Sequence, residues 1–165
     1  MAAEVHAGRY TAELGEEGAV VFLIGMRFNA WWRVDKWWLV LTAMPRMLRH
    51  LEQHDAGLLG WKTWPGRTLL LVQYWRSVEE LYAFASDPQA PHAPAWRDFN
   101  RRVGTDGTVG VWHETYRVGP GRAEAIYDNM PAFGLAAATR HVPVGRGRGT
   151  ATARLAAGTA ADERV

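Results

Sequence analysis

The hydrophobic positions of this 165-residue chain change their period several times, and each period predicts one structural element. The first is a nearly continuous apolar run from Val20 to Asn29, which is typical of a buried β-strand. An apolar stripe with helical spacing follows and predicts a helix from an Asp35 cap to about His54. Pro45 predicts a kink or a restart there, because proline removes one helical hydrogen bond. The stripe consists of Trp37, Leu41, Met44, Leu48 and Leu51.

The rest of the pattern predicts a β-hairpin, further helices and a last strand. Two apolar runs flank a Pro-Gly turn, as in a hairpin. Ser77 and Glu80 have the spacing of a capping box and predict the start of a second helix. The final strand is VGVWHETYRV, and a short helix broken at Pro131 is predicted after it. The strands are predicted over 57–64, 67–75 and 109–118, and the helical pieces over 77–87 and 95–103.

The predicted order of elements is β-α-β-β-α-β. This order is that of a ferredoxin-like α+β fold, in which a four-stranded antiparallel sheet carries its helices on one face. The other face is too apolar for water, so we expect a second copy of the chain to cover it in a homodimer. The domain is predicted over residues 18–135, between a flexible N-terminus (1–17) and a flexible basic, Gly/Ala-rich tail (136–165).

Composition narrows the function classes further. The absence of cysteine excludes disulfides, thiolate nucleophiles and cysteine-based metal sites. The N-terminus has no apolar signal region, and the longest apolar run is too short to span a bilayer, which predicts a cytoplasmic protein without a membrane partner. The sequence pI is 9.2 although the formal net charge is only +2, and five arginines lie in the tail. We therefore expect a solvated tail and no nucleic-acid partner.

The strand VGVWHETYRV contains the first candidate catalytic residue. His113 shares one strand face with valines, whereas Trp112 and Glu114 lie on the other, so His113 is predicted to point into a cavity and Trp112 away from it. Glu114 is assigned a structural hydrogen bond. Grouping the polar faces of three strands places Arg27, Asn29 and Gln73 beside His113. One interpretation is a polar subunit interface or sheet edge; the other is a site in which His113 is a general base and Arg27 and Asn29 stabilise an oxyanion.

The tryptophans and one further histidine supply the remaining candidates. Trp38, Trp75 and Trp96, together with Gln73, are predicted to bind a small hydrophobic or aromatic substrate, although core packing is the alternative for each tryptophan. His92 lies between two prolines and is predicted either to cap the following helix or, if haem is bound, to ligate its iron. No metal site is predicted, and no nucleotide-binding, zincin or serine-hydrolase motif occurs.

Several longer motifs carry a family resemblance. GMRFN, AMPRMLRHLE, LVQYWRS, PHAPAWRDFNRRVG, VGVWHETY and IYDNMPAFGLA resemble an uncharacterised bacterial family described as monooxygenase-like, over about Val20 to Val144. That family is placed in the dimeric α/β-barrel superfamily, so the resemblance implies this fold and a pocket between helices and sheet. The superfamily includes cofactor-free monooxygenases, haem enzymes and polyketide cyclases, and the resemblance does not choose among these reactions.

Two classes of function follow from this reading. The first is a monooxygenase-like enzyme without a bound cofactor, in which His113 deprotonates an aromatic or phenolic substrate and the anion reacts with dioxygen. A haem-dependent dehydratase or peroxidase-like enzyme is its variant. The second is a non-catalytic module that binds a hydrophobic ligand in the same cavity.

Overall fold

The structure is a computed structural model that describes residues 3–90 and 92–162. These residues contain seven strands, arranged in two antiparallel sheets, and five helices. The strands are β1 His6–Glu13, β2 Ala19–Phe28, β3 Leu58–Trp64, β4 Thr68–Trp75, β5 Val109–Val118, β6 Tyr127–Met130 and β7 Arg140–Pro143. The helices are α1 Val34–Gln53, α2 Val78–Ser86, α3 His92–Arg102, α4 Leu135–Ala138 and α5 Ala151–Asp162.

The larger sheet has the strand order β3-β4-β2-β5. Together with α1, α2 and α3, its strands follow one another along the chain as β2-α1-β3-β4-α2-α3-β5. This arrangement is consistent with a ferredoxin-like fold and confirms the mixed α+β class. The predicted hairpin is β3 and β4, and the last predicted strand, 109–118, has the same limits as β5.

Local signals explain how two of the helices begin. Ser77 caps α2, since its hydroxyl oxygen accepts the backbone N–H of Glu80 at 3.1 Å, as the capping box predicts. The predicted Asp35 cap of α1 is wrong. Arg33 holds the N-cap position, and Asp35 lies in the first turn, where the Arg33 guanidinium donates to its carboxylate and lowers its pKa. Helix α1 runs through Pro45 without interruption.

The helices cover one face of the larger sheet, which we call the inner face, in two separate apolar clusters. The first cluster joins the start of β2 and the end of β4 to α1 and α2, and the second joins the other ends of these strands to α1 and α3. The first consists of Val20, Leu51, Trp75, Val78 and Leu81. The second consists of Met26, Leu69, Phe99, Val103 and Val109. A sheet ten residues long is therefore packed firmly at two places, with a gap between them.

The opposite, outer face of the sheet is partly covered by the same chain. Beyond β6, the chain lies against β3 and β4, where the Phe133 and Trp64 rings are 6.2 Å apart. At Gly134 a Cβ atom would lie 3.1 Å from the Tyr74 hydroxyl, and Ala138 packs against Gly60. The prediction of a helix before Pro131 is wrong, since residues 127–130 form β6 and the segment after Pro131 contains the single turn α4.

Flexible extensions are predicted for residues 1–17 and 136–165, but the segments 6–13, 140–143 and 151–162 within them form regular structure. Strand β1 lies between β6 and β7 in a three-stranded antiparallel sheet. Helix α5 is held by Arg154, whose guanidinium Nε donates to Glu124 at 2.6 Å and whose side chain is only 9% exposed. These segments lack a helical or strand pattern strong enough to be recognised alone, because they are stabilised by partners far away in the sequence.

Candidate functional site

The gap between the two apolar clusters is a cavity of about 460 Å³. Its floor is the inner face of the sheet, and its walls come from α1, α2 and α3. Almost all of the wall is aliphatic, aromatic or thioether. This is the composition of small-molecule sites, which are mostly apolar with a few polar groups that orient the ligand. The aromatic and thioether walls include Phe22, Met26, Met44, Met47, Phe84, Trp96 and Phe99.

The deep end of the cavity carries Gln73 and Trp75. Both are almost fully buried, at 2% and 0% exposure. They lie two residues apart on β4 and so on the same face, and the Trp75 indole N–H donates to Gln73 Oε1 at 2.9 Å. The structure thus places these two predicted substrate-binding residues together in the wall.

The mouth of the cavity carries His113 and Trp96. The Trp96 ring stacks on Phe99 at 5.5 Å and remains 52% exposed. His113 lies on β5 directly opposite Ile24 of β2, and its ring is 5.7 Å from that of Phe22. Its side chain lines the cavity and is also exposed to solvent.

Trp112 and His113 occupy opposite sheet faces. The indole of Trp112 lies over Gly25 on the outer face, so that a Cβ at Gly25 would be 2.4 Å from Trp112 Nε1. Trp112 also contributes to the cavity floor, where it is paired with Gly25. Glu114 has the expected structural hydrogen bond, since it accepts the Tyr116 hydroxyl at 2.5 Å. This bond raises the pKa of Tyr116.

Arg27 and Asn29 do not join His113. Residue Arg27 pairs with Gly110 and Thr68, and its guanidinium donates to the Thr68 hydroxyl at 2.9 Å. It lies on the outer face, three residues along β2 from the partner of His113, or about 10 Å. The Asn29 side chain donates to Gly107 O at 3.0 Å and holds the turn before β5. Arg27 and Asn29, which are predicted to stabilise an oxyanion, therefore lie away from His113.

The error has a simple geometric cause. The alternation of side chains along each strand follows from the sequence, but which residues of neighbouring strands share a face depends on the register between the strands. The observed register pairs Ile24 with His113 and Phe22 with Gln73, so the even-numbered residues of β2 join the odd-numbered residues of β4 and β5. Arg27 has odd parity and lies on the outer face.

Trp38 and His92 complete the predicted set. Trp38 is 57% exposed, packs against Trp37 and is not among the cavity-lining residues that the structure describes. The inward side of α1 there carries Leu41, Met44 and Met47, and Trp38 lies on a different side. His92 is the first residue of α3, and its side chain lies outside the described part of the structure, so its role as a haem ligand stays a prediction.

Sequence reasoning missed several wall residues, including Phe22, Met47, Phe84 and Thr115. Phe22 lies on the apolar face of β2, and nothing in its sequence pattern distinguishes a cavity wall from packed core. Met47 lies one position from Leu48 and extends the apolar stripe of α1 sideways. Only the gap between the two clusters makes these residues cavity walls, and no local signal in the sequence reveals a gap.

Nowhere in residues 3–90 and 92–162 do three His, Cys, Asp or Glu side chains gather in a group suited to a metal ion. Within the same ranges, no helix combines the length and apolar character needed to cross a bilayer.

Comparison with known families matches residues 19–135 to the family described as Monooxygenase af470-like. The chain belongs to this family. The matched residues extend from the first residue of β2 to the start of α4, and so include every element that lines the cavity.

One curated relative carries the family's name. It is Monooxygenase af470 of Aspergillus fumigatus, which is 28% identical over 134 residues. The match covers 74% of this chain and 46% of the relative, so this chain spans about half the length of that protein.

Solved structures give more distant similarities. A conserved protein of unknown function from Bacteroides thetaiotaomicron has a TM-score of 0.43 at 13% identity, covering 61% of this chain and 98% of that one. A conserved protein from Methanosarcina mazei has a TM-score of 0.44 at 8% identity, covering 62% and 96%. The fold assignment therefore depends on strand order and helix placement.

Proposed function

We propose that this protein is a monooxygenase-like oxidative enzyme whose aromatic or phenolic substrate binds in the cavity between sheet and helices. The observation that carries the proposal is the placement of His113 at the mouth of an apolar cavity that ends at Gln73. The family name supports oxidative chemistry. A histidine that reaches both the cavity and solvent can take a proton from a bound molecule and release it to water.

The proposed reaction uses the substrate itself as the reductant. His113 removes a proton from an acidic methylene or phenol of the aromatic substrate. The resulting anion transfers electrons to dioxygen, one oxygen atom forms a new carbon–oxygen bond, and the other leaves as water. For an activated methylene, CH₂ and O₂ give C=O and H₂O, so atoms and electrons balance without a further reductant. No bound cofactor is required in this scheme.

The cavity walls favour this chemistry for a physical reason. Trp75, Phe22 and Phe84 hold an aromatic ring by burial of apolar surface and by ring contacts. The same walls exclude water, which strengthens the few polar interactions that remain at the reacting atoms. A flat hydrophobic molecule with one acidic group suits this combination.

We further propose that the active form is a homodimer. The end segment of the chain covers the outer face at β3 and β4. Toward β5, by contrast, the outer-face side chain of Tyr116 is 50% exposed, and Val21 and Leu23 are only partly buried. We expect light scattering at micromolar concentration to give twice the mass of the chain. A monomer mass with an unchanged fold would contradict this part of the proposal.

Oxygen consumption tests the enzymatic proposal. The purified protein is mixed with hydroxyaromatic compounds that contain an activated methylene, without added nicotinamide or flavin, in an oxygen-electrode cell. We expect at least one compound to be consumed with one O₂ per molecule of product. Compounds that bind tightly and cause no oxygen uptake would instead favour the non-catalytic binding module. A Soret band in the visible spectrum of the purified protein would favour the haem-dependent alternative.

A further inference from the structure

The buried amide of Gln73 is the deepest polar group in the cavity wall. The side chain is 2% exposed and projects from β4 beside Phe22, its cross-strand neighbour on β2. Most of the other residues that line the cavity are apolar, and the exceptions include Tyr82, His113 and Thr115. A buried amide in such surroundings is costly unless its polar atoms are hydrogen-bonded, so the bonds that it makes and lacks are informative.

A hydrogen bond from Trp75 fixes the orientation of the Gln73 side-chain amide. An indole N–H can only donate, and it donates to Gln73 Oε1 at 2.9 Å. Turning the amide over would place its NH₂ group against the indole N–H, two donors facing each other, and would lose the bond. The carbonyl end is therefore held by Trp75, and the NH₂ end is the one left for other partners.

The NH₂ group of Gln73 makes no hydrogen bond with the part of the chain that the structure describes. Its two N–H donors belong to a side chain that forms part of the cavity wall. An oxygen atom that enters the cavity would satisfy them. A ligand group that offers only N–H or N⁺–H would place its donors against the Gln73 donors, and neither group would be hydrogen-bonded.

We propose that Gln73, held in one orientation by Trp75, determines the substrate class of the cavity. It selects aromatic ligands that carry a hydrogen-bond acceptor, a carbonyl or phenolic oxygen, on the end that enters first. It rejects ligands of the same shape with a donor-only group at that end. The inference rests on the proposed function, because it takes the cavity as the substrate site.

The geometry also orients the ligand relative to His113. Gln73 and His113 lie on the two strands that flank β2, and their cross-strand partners, Phe22 and Ile24, are two residues apart. Ordinary sheet spacings put their Cα atoms about 12 Å apart. A ligand whose oxygen meets Gln73 therefore places the far side of its ring system, and not the same oxygen, toward the imidazole. Gln73 is a positioning and specificity residue, and proton removal is expected at the other end.

Three bicyclic probes of similar shape test the selection. They are 1-tetralone, which carries an acceptor, tetralin, which carries no polar group, and 1-aminotetralin, which carries a donor cation. Calorimetric titration of the wild-type protein should give affinities in the order tetralone, tetralin, aminotetralin. One net hydrogen bond predicts a tetralone preference over tetralin of roughly fivefold to tenfold.

Two variants and one matched control separate this role from general damage. Gln73→Leu should remove the preference of tetralone over tetralin. Trp75→Phe frees the amide to turn its carbonyl toward the ligand, so aminotetralin should gain affinity relative to tetralin. Trp64→Phe, the same substitution at a tryptophan that packs on Phe133 on the outer face of the sheet, should keep the wild-type order of affinities. Thermal unfolding of each variant checks that it is folded, and either Gln73→Leu or Trp75→Phe alone suffices for the test.

The outcomes distinguish this inference from the enzymatic proposal. The predicted order of affinities without oxygen uptake would support the selection by Gln73 and contradict only the oxidative role. Equal affinities for tetralone and tetralin in the wild-type protein would overturn the inference, as would an unchanged tetralone preference in Gln73→Leu. If none of the probes binds the wild-type protein, the inference is overturned together with the cavity as a ligand site.

Discussion

Gln73 and His113 share the inner face of the sheet on the two strands that flank β2, one at the closed end of the cavity and one at its mouth. A ligand in the cavity would meet a hydrogen-bond donor at its inner end and a proton acceptor at its outer end. The arrangement follows from strand register, since a shift by one residue would place either side chain on the outer face.

The contact between Gly25 and Trp112 predicts a steric effect on stability. A Cβ at residue 25 would lie 2.4 Å from Trp112 Nε1 and 2.5 Å from the Leu69 carbonyl oxygen. The backbone oxygen cannot move without disturbing the sheet, so Gly25→Ala should lower the free energy of unfolding by about 1–3 kcal/mol. Denaturant-induced unfolding, followed by circular dichroism, measures the change.

Gly60→Ala is the matched control for this prediction. Gly60 lies in the same sheet, but there a Cβ would make an ordinary contact of 3.6 Å with Ala138. Its free energy of unfolding should remain within about 1 kcal/mol of the wild-type value. Equal destabilisation by the two substitutions would show that the Trp112 contact is not responsible.

Most of the individual strands and helix starts that form the inner face can be predicted from the sequence alone. The way in which the strands align with one another cannot. The limits of β5, the hairpin and the Ser77 cap depend on neighbouring residues, and local pattern predicts them. The position of Arg27 on the outer face depends on register between strands. The same limit hides β1, which pairs with strands more than a hundred residues later in the chain.

His141 predicts a pH dependence of stability. Its Nε2 is buried without a hydrogen-bond partner in the described residues, and its ring stacks on Tyr10 at 4.4 Å, with His6 at 4.8 Å. Burial, and after it the nearby His6, lowers the pKa of His141. Between the lowered folded-state pKa and about pH 6.5, the unfolded chain therefore binds a proton at this residue that the folded chain largely does not.

The direction of this pH dependence follows from the difference in proton binding between the folded and the unfolded chain. Stability due to His141 is present at neutral pH and is lost as the pH falls through 6.5 toward its lower folded-state pKa. His141→Phe keeps an aromatic ring but removes the titration, so the free energy of unfolding should fall less between pH 7 and pH 5 than it does in the wild-type protein. Denaturant-induced unfolding at several pH values measures this slope. An identical slope in both proteins would contradict the assignment.

The hydrogen bonds of Arg154 indicate that this residue holds α5 against the rest of the chain. Its guanidinium donates to Glu124 and also to the backbone oxygens of Arg148 and Gly149. Arg154→Met should leave Glu124 without its partner, so amide hydrogen exchange in 151–162 should become at least about tenfold faster. Arg146→Met, in the exposed loop before α5, serves as the control. Unchanged exchange in the Arg154 variant would mean that other contacts hold this helix.

Single-turnover and steady-state oxidation by His113→Gln tests the central claim most directly, with a substrate identified by oxygen uptake. His54→Gln, the same substitution at an exposed residue beyond the end of α1, is the control. We predict that His113→Gln lowers kcat by about a hundredfold or more, because it removes the general base, while the substrate dissociation constant changes little. His54→Gln should keep the wild-type kcat. Wild-type turnover by His113→Gln would contradict the account.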